Sequence, residues 1–151
     1  MRLKVMGEWR SGLRADEAWM LQMKPGTPIW IREVLMSIDG VDSVYARSFT
    51  PLEASHGLWQ GMRSLRSRPL ADMLYHNPQI SRSAFMVRKL DRREPLFRSV
   101  KLAGLAPAGD LDMPWARCSV FHRLGQPLLV AECFLPGFWE LLNRKAAQNS
   151  D

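Results

Sequence analysis

The pair Asp39-Gly40 lies between two β-rich runs, "IWIREVLMSI" before it and "VDSVYARSFTPL" after it. Asp-Gly in that setting is a strong signal for a two-residue type I′ turn, because both central residues of that turn need positive φ. The chain is therefore expected to form an antiparallel hairpin here. With a two-residue loop, Ile38 meets Val41, Val34 meets Tyr45 and Arg32 meets Arg47. Side chains directly opposite on one face have β-carbons about 4.5–5.5 Å apart, where like charges are unfavourable. Arg32 shares its face with Trp30, Val34, Met36 and Ile38. Two guanidiniums on such an apolar face need an anion, either an internal Asp or Glu or the carboxylate of a ligand.

A second hairpin is expected from "WARCSVFHR" and "QPLLVAECFLP" around Leu124-Gly125. A turn there puts Glu132 opposite Arg117. Leu128, Val130, Phe134 and Pro136 share the face of Glu132. A carboxylate in such company is either an ordinary cross-strand ion pair or a functional group. Together these residues suggest a pocket with one or two arginines for a carboxylate, a glutamate for a hydroxyl or a proton, and apolar walls. Those features suit a small aromatic or cyclohexadienyl acid.

The rest of the chain supplies a frame. "RLKVMGEWR" reads as a first strand, "RADEAWMLQM" is ambiguous, with a turn of helix as one reading, and "KPGTP" reads as a turn. In "GLWQGMRSLRSRPLADMLYHN", Leu58, Met62 and Leu65 recur at helical spacing, as do Leu70, Met73 and Leu74. Pro69 suits a first helical turn, so one or two short helices are expected. "ISRSAFMVRKLDRR" reads as a strand, "EPLFRSVKLAGLAPAGDLDMP" as a long loop or flap, and "GFWELLNRKAAQ" as a short C-terminal helix. The expected fold is α+β, a single antiparallel sheet of about six strands with helices packed on it.

Composition narrows the function classes. A length of 151 residues suits one domain, residues 1–151. No apolar run approaches the roughly 20 residues that span a bilayer. The start "MRLKVMGEWR" has no stretch of signal-peptide length, so a cytoplasmic location is expected. Cys118 and Cys133 give no disulfide framework. His56, His76 and His122 fall into no metal-ligand spacing, so neither a metal site nor triad chemistry is expected. The net charge is +6, with basic residues spread rather than clustered. A spread excess suits a solvated surface that attracts a small anion better than it suits nucleic acid.

The order "WIREVL…DG…ARS…RPLADMLY…WARCS…GQPLLVAECFLPGFW" resembles the chorismate lyase family, from about Ile29 to Trp139. "LLVAECFLP" with "WIREV" at this separation is the specific part. The resemblance implies a single-domain antiparallel sheet with helices, a buried product site closed by flaps, and no cofactor. It implies conversion of chorismate to 4-hydroxybenzoate and pyruvate, the first step of ubiquinone biosynthesis, by a cytoplasmic monomer. By the same resemblance, Arg32 binds the ring carboxylate, Glu132 binds the ring hydroxyl, and Leu70 adds a backbone contact. Arg32 and Glu132 are thus the implied catalytic pair. Arg47 and Arg117 are implied further substrate-binding residues, either of them suited to the enolpyruvyl carboxylate. Trp115 and Ser119 also match the family pattern. The family carries an N-terminal helical segment of some 40 residues that supplies a methionine to the pocket, and this chain begins near the first strand without it. The alternative reading is a non-catalytic sensor of the same fold that binds a small aromatic acid.

Overall fold

The computed structural model describes residues 1–109 and 112–150, and both hairpins close on the expected turns. Asp39 and Gly40 have φ of 51° and 76°, and Leu124 and Gly125 have 47° and 81°. Two positive values in succession define a type I′ turn, whose twist matches that of the flanking strands.

In chain order the elements are β1 (Arg2–Gly12), α1 (Ala15–Leu21), β2 (Pro28–Ile38), β3 (Val41–Pro51) and α2 (Leu52–Ser55). A 3-10 turn at Gln60–Ser64 leads to α3 (Ala71–Leu74), β4 (Ile80–Arg82) and β5 (Met86–Lys89). Then come α4 (Pro95–Leu102), β6 (Trp115–Arg123), β7 (Gln126–Phe134) and α5 (Pro136–Gln148). Seven strands form one antiparallel sheet in the order β1-β2-β3-β7-β6-β4, with β5 also pairing β6.

Three expectations change. The segment expected as one strand after residue 80 is two, β4 and β5. Between them Ser83 leaves the ladder: its N–H donates to the Val120 carbonyl and its hydroxyl accepts the Val120 N–H, each at 2.9 Å. The expected long loop begins with a helix, α4, whose Pro95 occupies the first turn and whose Leu96, Phe97 and Val100 are buried. Proline in a first helical turn forfeits no hydrogen bond, so it starts this helix instead of breaking it. Positions 110 and 111 of that expected loop lie outside the described residues.

The third change is the register of the first hairpin. Ser37 pairs with Asp42, but Met36 pairs with Val44, so Ser43 is an extra residue on β3. Ser43 is wholly buried, and its carbonyl accepts the Leu135 N–H at 2.9 Å. The bulge thus gives its orphan carbonyl a partner from the end of β7. Beyond it, Arg32 faces Ser48 and Arg47 faces Glu33. A shift of one residue reverses the face on which a side chain stands, so Arg32 and Arg47 are on opposite sides of the sheet and not beside each other.

Helices cover both faces. On one, α1 and α4 pack Leu21 and Val100 against Ile29, Ile31, Leu35, Phe49 and Leu129. On the other, Trp59, Met62, Leu65, Leu70 and Leu74 form a cluster with Phe121 and Leu128. That cluster covers only part of its face. Its remaining stretch, toward β7 and β6, is left open, and the cavity described next lies there.

Candidate active site

Two adjacent rungs of the sheet supply the floor of the cavity. One rung runs Arg32, Ser48, Val130, Ser119 across β2, β3, β7 and β6, and the next runs Val34, Ala46, Glu132, Arg117. All eight residues line one cavity of about 260 Å³. Pro69, Leu70, Leu74 and Tyr75 close it from the α3 side, and Phe85 approaches from the β4–β5 connection. The volume is near the lower end for small-ligand sites.

Arg32 is the most constrained group. It is 2% exposed, and its Nη2 donates to the carbonyls of Arg66 and Arg68 at 3.0 and 2.8 Å. Arg66 has φ of 56°, the left-handed backbone conformation that non-glycine residues adopt at a cost. The loop before Pro69 is therefore bent so that two carbonyls reach one guanidinium. Nε is buried without a hydrogen bond, 3.8 Å from Glu8 Oε1. Burial holds Arg32 below the usual guanidinium range, and Glu8 partly opposes that shift. Among the described residues, Nη1 takes no protein acceptor. The buried cation is thus fixed on one side and has a donor left for an anion in the cavity.

Glu132 stands diagonally across the sheet from Arg32, two strands over and two residues along. With strands about 4.8 Å apart and about 3.4 Å per residue, their Cα atoms are about 12 Å apart. The cavity that both residues line has room for one six-membered ring. Glu132 Oε1 accepts the Arg117 Nε–H at 2.9 Å, as the second hairpin's register requires. Arg117 itself lies over Phe85 at 4.5 Å and Phe134 at 5.7 Å from the ring centroids. Those rings hold the guanidinium plane and turn Nε to Glu132. Glu132 Oε2 has no protein donor among the described residues.

Arg47 lies outside this cavity. Its Nε and Nη2 donate to both oxygens of Glu17 at 3.0 and 3.2 Å, and Nη1 donates to Glu33 at 3.1 Å. Glu33 also accepts from the Tyr45 and Ser99 hydroxyls, each at 2.9 Å. Arg47 thus has internal carboxylates as its anions, and burial beside Glu33 pushes the Tyr45 hydroxyl well above its ordinary range. This network fastens α1 and α4 to the far face. Of the expected substrate-binding residues, Arg32, Leu70, Arg117 and Glu132 come together and Arg47 does not. Sequence reasoning assigned no role to Ser48, Ser119, Phe85 or Glu8. Of these only Ser119 carried a signal, through its match to the family pattern and its place two residues from Arg117 on one strand face.

Among the described residues no group of His, Cys, Asp and Glu is arranged to hold a metal ion. No helix among them is long and apolar enough to cross a membrane.

The fold is shared with several solved regulator domains. The ligand-binding domain of a putative GntR-family transcriptional regulator from Bordetella bronchiseptica superposes with a TM-score of 0.60 at 14% identity, covering 89% of this chain and 83% of that one. The PhnF C-terminal domain gives 0.66 at 11%, covering 90% and 83%. At such identities the likeness concerns the fold alone. Sequence comparison goes further. The family model described as chorismate lyase matches residues 1–144. A protein of Bordetella pertussis (strain Tohama I) named "Probable chorismate pyruvate-lyase" is 55% identical over 147 residues, covering 97% of this chain and 77% of its own. "Probable chorismate pyruvate-lyase 1" of Pseudomonas entomophila (strain L48) is 39% identical over 155 residues, covering 97% and 82%. The chain belongs to the chorismate lyase family.

Proposed function

We propose that this protein converts chorismate to 4-hydroxybenzoate and pyruvate. The observation that carries the reading is the placement of a buried, outward-donating Arg32 and an Arg117-held Glu132 at opposite ends of one ring-sized cavity. Arg32 Nη1 takes the ring carboxylate, beside Leu70 at the start of α3. Glu132 Oε2 accepts the C4 hydroxyl. In the reaction the C3–O ether bond breaks and the C4 hydrogen leaves as a proton, which makes the ring aromatic. The enolpyruvate released takes up a proton on its methylene carbon and becomes pyruvate. Because aromatisation supplies the driving force, the protein's work is to hold one reactive conformer and exclude water. Glu132 anchors the hydroxyl and is the nearest carboxylate to the departing proton. The product enters ubiquinone biosynthesis, and the enzyme acts in the cytoplasm as a monomer.

Incubation with chorismate, followed by the absorbance of 4-hydroxybenzoate, tests this directly. The expected result is product formation well above the spontaneous rate. A folded sample that binds 4-hydroxybenzoate without forming it would make this a sensor of the same fold. Arg32→Lys keeps the charge but not the planar fork that serves two loop carbonyls and a ligand at once. It should lower kcat/KM by roughly tenfold to a hundredfold, the range for a hydrogen bond to a charged group. Glu132→Gln separates two roles: retained turnover with a raised KM means anchoring alone, whereas lost kcat means proton transfer.

A further inference from the structure

The cavity is not symmetric about the line from Arg32 to Glu132. One flank is formed by Val34 and Ala46, which are apolar. The other is formed by Ser48, Val130 and Ser119. Ser119 is 4% exposed and lines the cavity, yet no hydrogen-bond partner meets its hydroxyl among the described residues. The hydroxyl is not sealed in the protein but opens onto the cavity, where a polar ligand group can reach it without displacing a protein partner. Ser119 stands beside Arg117 on β6, one inward-facing position along, and the two outer guanidinium nitrogens of Arg117 carry no hydrogen bond within the described protein.

We propose that Ser119, with the outer nitrogens of Arg117, forms the subsite for the second carboxylate of the substrate, the one on the enolpyruvyl arm. The inference rests on the lyase reading and deepens it. With the ring carboxylate at Arg32 and the C4 hydroxyl at Glu132, the C3 ether must leave the ring on one flank or the other, close to the Glu132 end. The Val34–Ala46 flank offers an anion no donor. The Ser119 flank offers a hydroxyl and a cation within a few ångströms of where the arm emerges. The ring's unsubstituted edge then lies on Val34 and Ala46. The assignment makes Ser119 a substrate-specificity residue, because it distinguishes chorismate from the product, which has lost the arm.

The test compares the two ligands in Ser119→Ala. Chorismate kcat/KM should fall by roughly tenfold to a hundredfold, mainly through KM, while the Kd for 4-hydroxybenzoate by calorimetry stays within about twofold. Unchanged 4-hydroxybenzoate binding also shows that the variant is folded. Equal losses for both ligands, or no loss for either, overturn the subsite. Should the unsubstituted chain turn nothing over, the lyase reading fails on its own. Calorimetry with chorismate and 4-hydroxybenzoate on both forms then decides the subsite by the same difference.

Discussion

Arg32 shows why the site residues were only partly legible. Its place on an apolar face was readable from alternation, and so was its demand for an anion. Its actual partners, the carbonyls of Arg66 and Arg68, come from a loop whose left-handed turn at Arg66 has no glycine to announce it. Ser119 was legible only as a match to the family pattern beside Arg117: a lone serine in a strand is ordinary, and its place on the cavity wall is what gives it a role. Buried thiols give a further test at this scale. Cys133 is wholly buried on the far face, and burial pushes its thiol up to about 12. An unfolded thiol titrates near 8.5. A group whose pKa is raised on folding contributes stability that is intact below the unfolded value and lost as pH climbs through the folded one. Tyr45 is shifted in the same direction. The thermal midpoint should therefore fall steadily above about pH 9, and Cys133→Ala should flatten that fall, as seen by circular dichroism across the alkaline range.

Among the elements, the two hairpins were the most legible because their turns carry their own chemistry. Leu124 is the exception within them. It has φ of 47° with its side chain 69% exposed, so it bears the left-handed cost without contributing to the core. Leu124→Asn should stabilise the protein by about 1 kcal/mol, since asparagine tolerates this conformation, and urea midpoints would register it. A lower midpoint would mean that the leucine packs in solution. The bulge at Ser43 was illegible, because its cause lies 92 positions away at Leu135, whose N–H takes the Ser43 carbonyl. The helix α4 is hard to read for a different reason: its apolar positions are present in the sequence, but the prolines and glycines that follow it mask their spacing.

For the whole molecule, the sheet divides structural from chemical work by face. One face is sealed by α1, α4 and the Arg47–Glu17–Glu33 network, and the other keeps the cavity. The net charge of +6 surrounds a site whose proposed ligand is a dianion. Long-range attraction then assists capture but not the bond-breaking step. Raising the ionic strength from about 0.01 M to about 1 M shortens the screening length from about 30 Å to about 3 Å. We expect chorismate kcat/KM to fall several-fold over that range while kcat at saturation holds. A kcat that falls in parallel would show that salt acts inside the cavity.

The diagonal between Arg32 and Glu132 has one more consequence. Its length is set by hydrogen-bonded strands, not by loops, so the sheet acts as a ruler with coarse graduations. Moving either anchor to the next inward-facing position shifts it by a whole strand spacing of about 4.8 Å or a two-residue step of about 6.8 Å, which changes the diagonal in jumps of about 2–5 Å. No intermediate setting exists. On the proposed reading, the distance between carboxylate and hydroxyl on the ligand is thereby read as a discrete quantity. A ring with its hydroxyl opposite the carboxylate fits the graduation. A ring with the hydroxyl one carbon nearer leaves one anchor unpaired, and the backbone has no small adjustment with which to follow it.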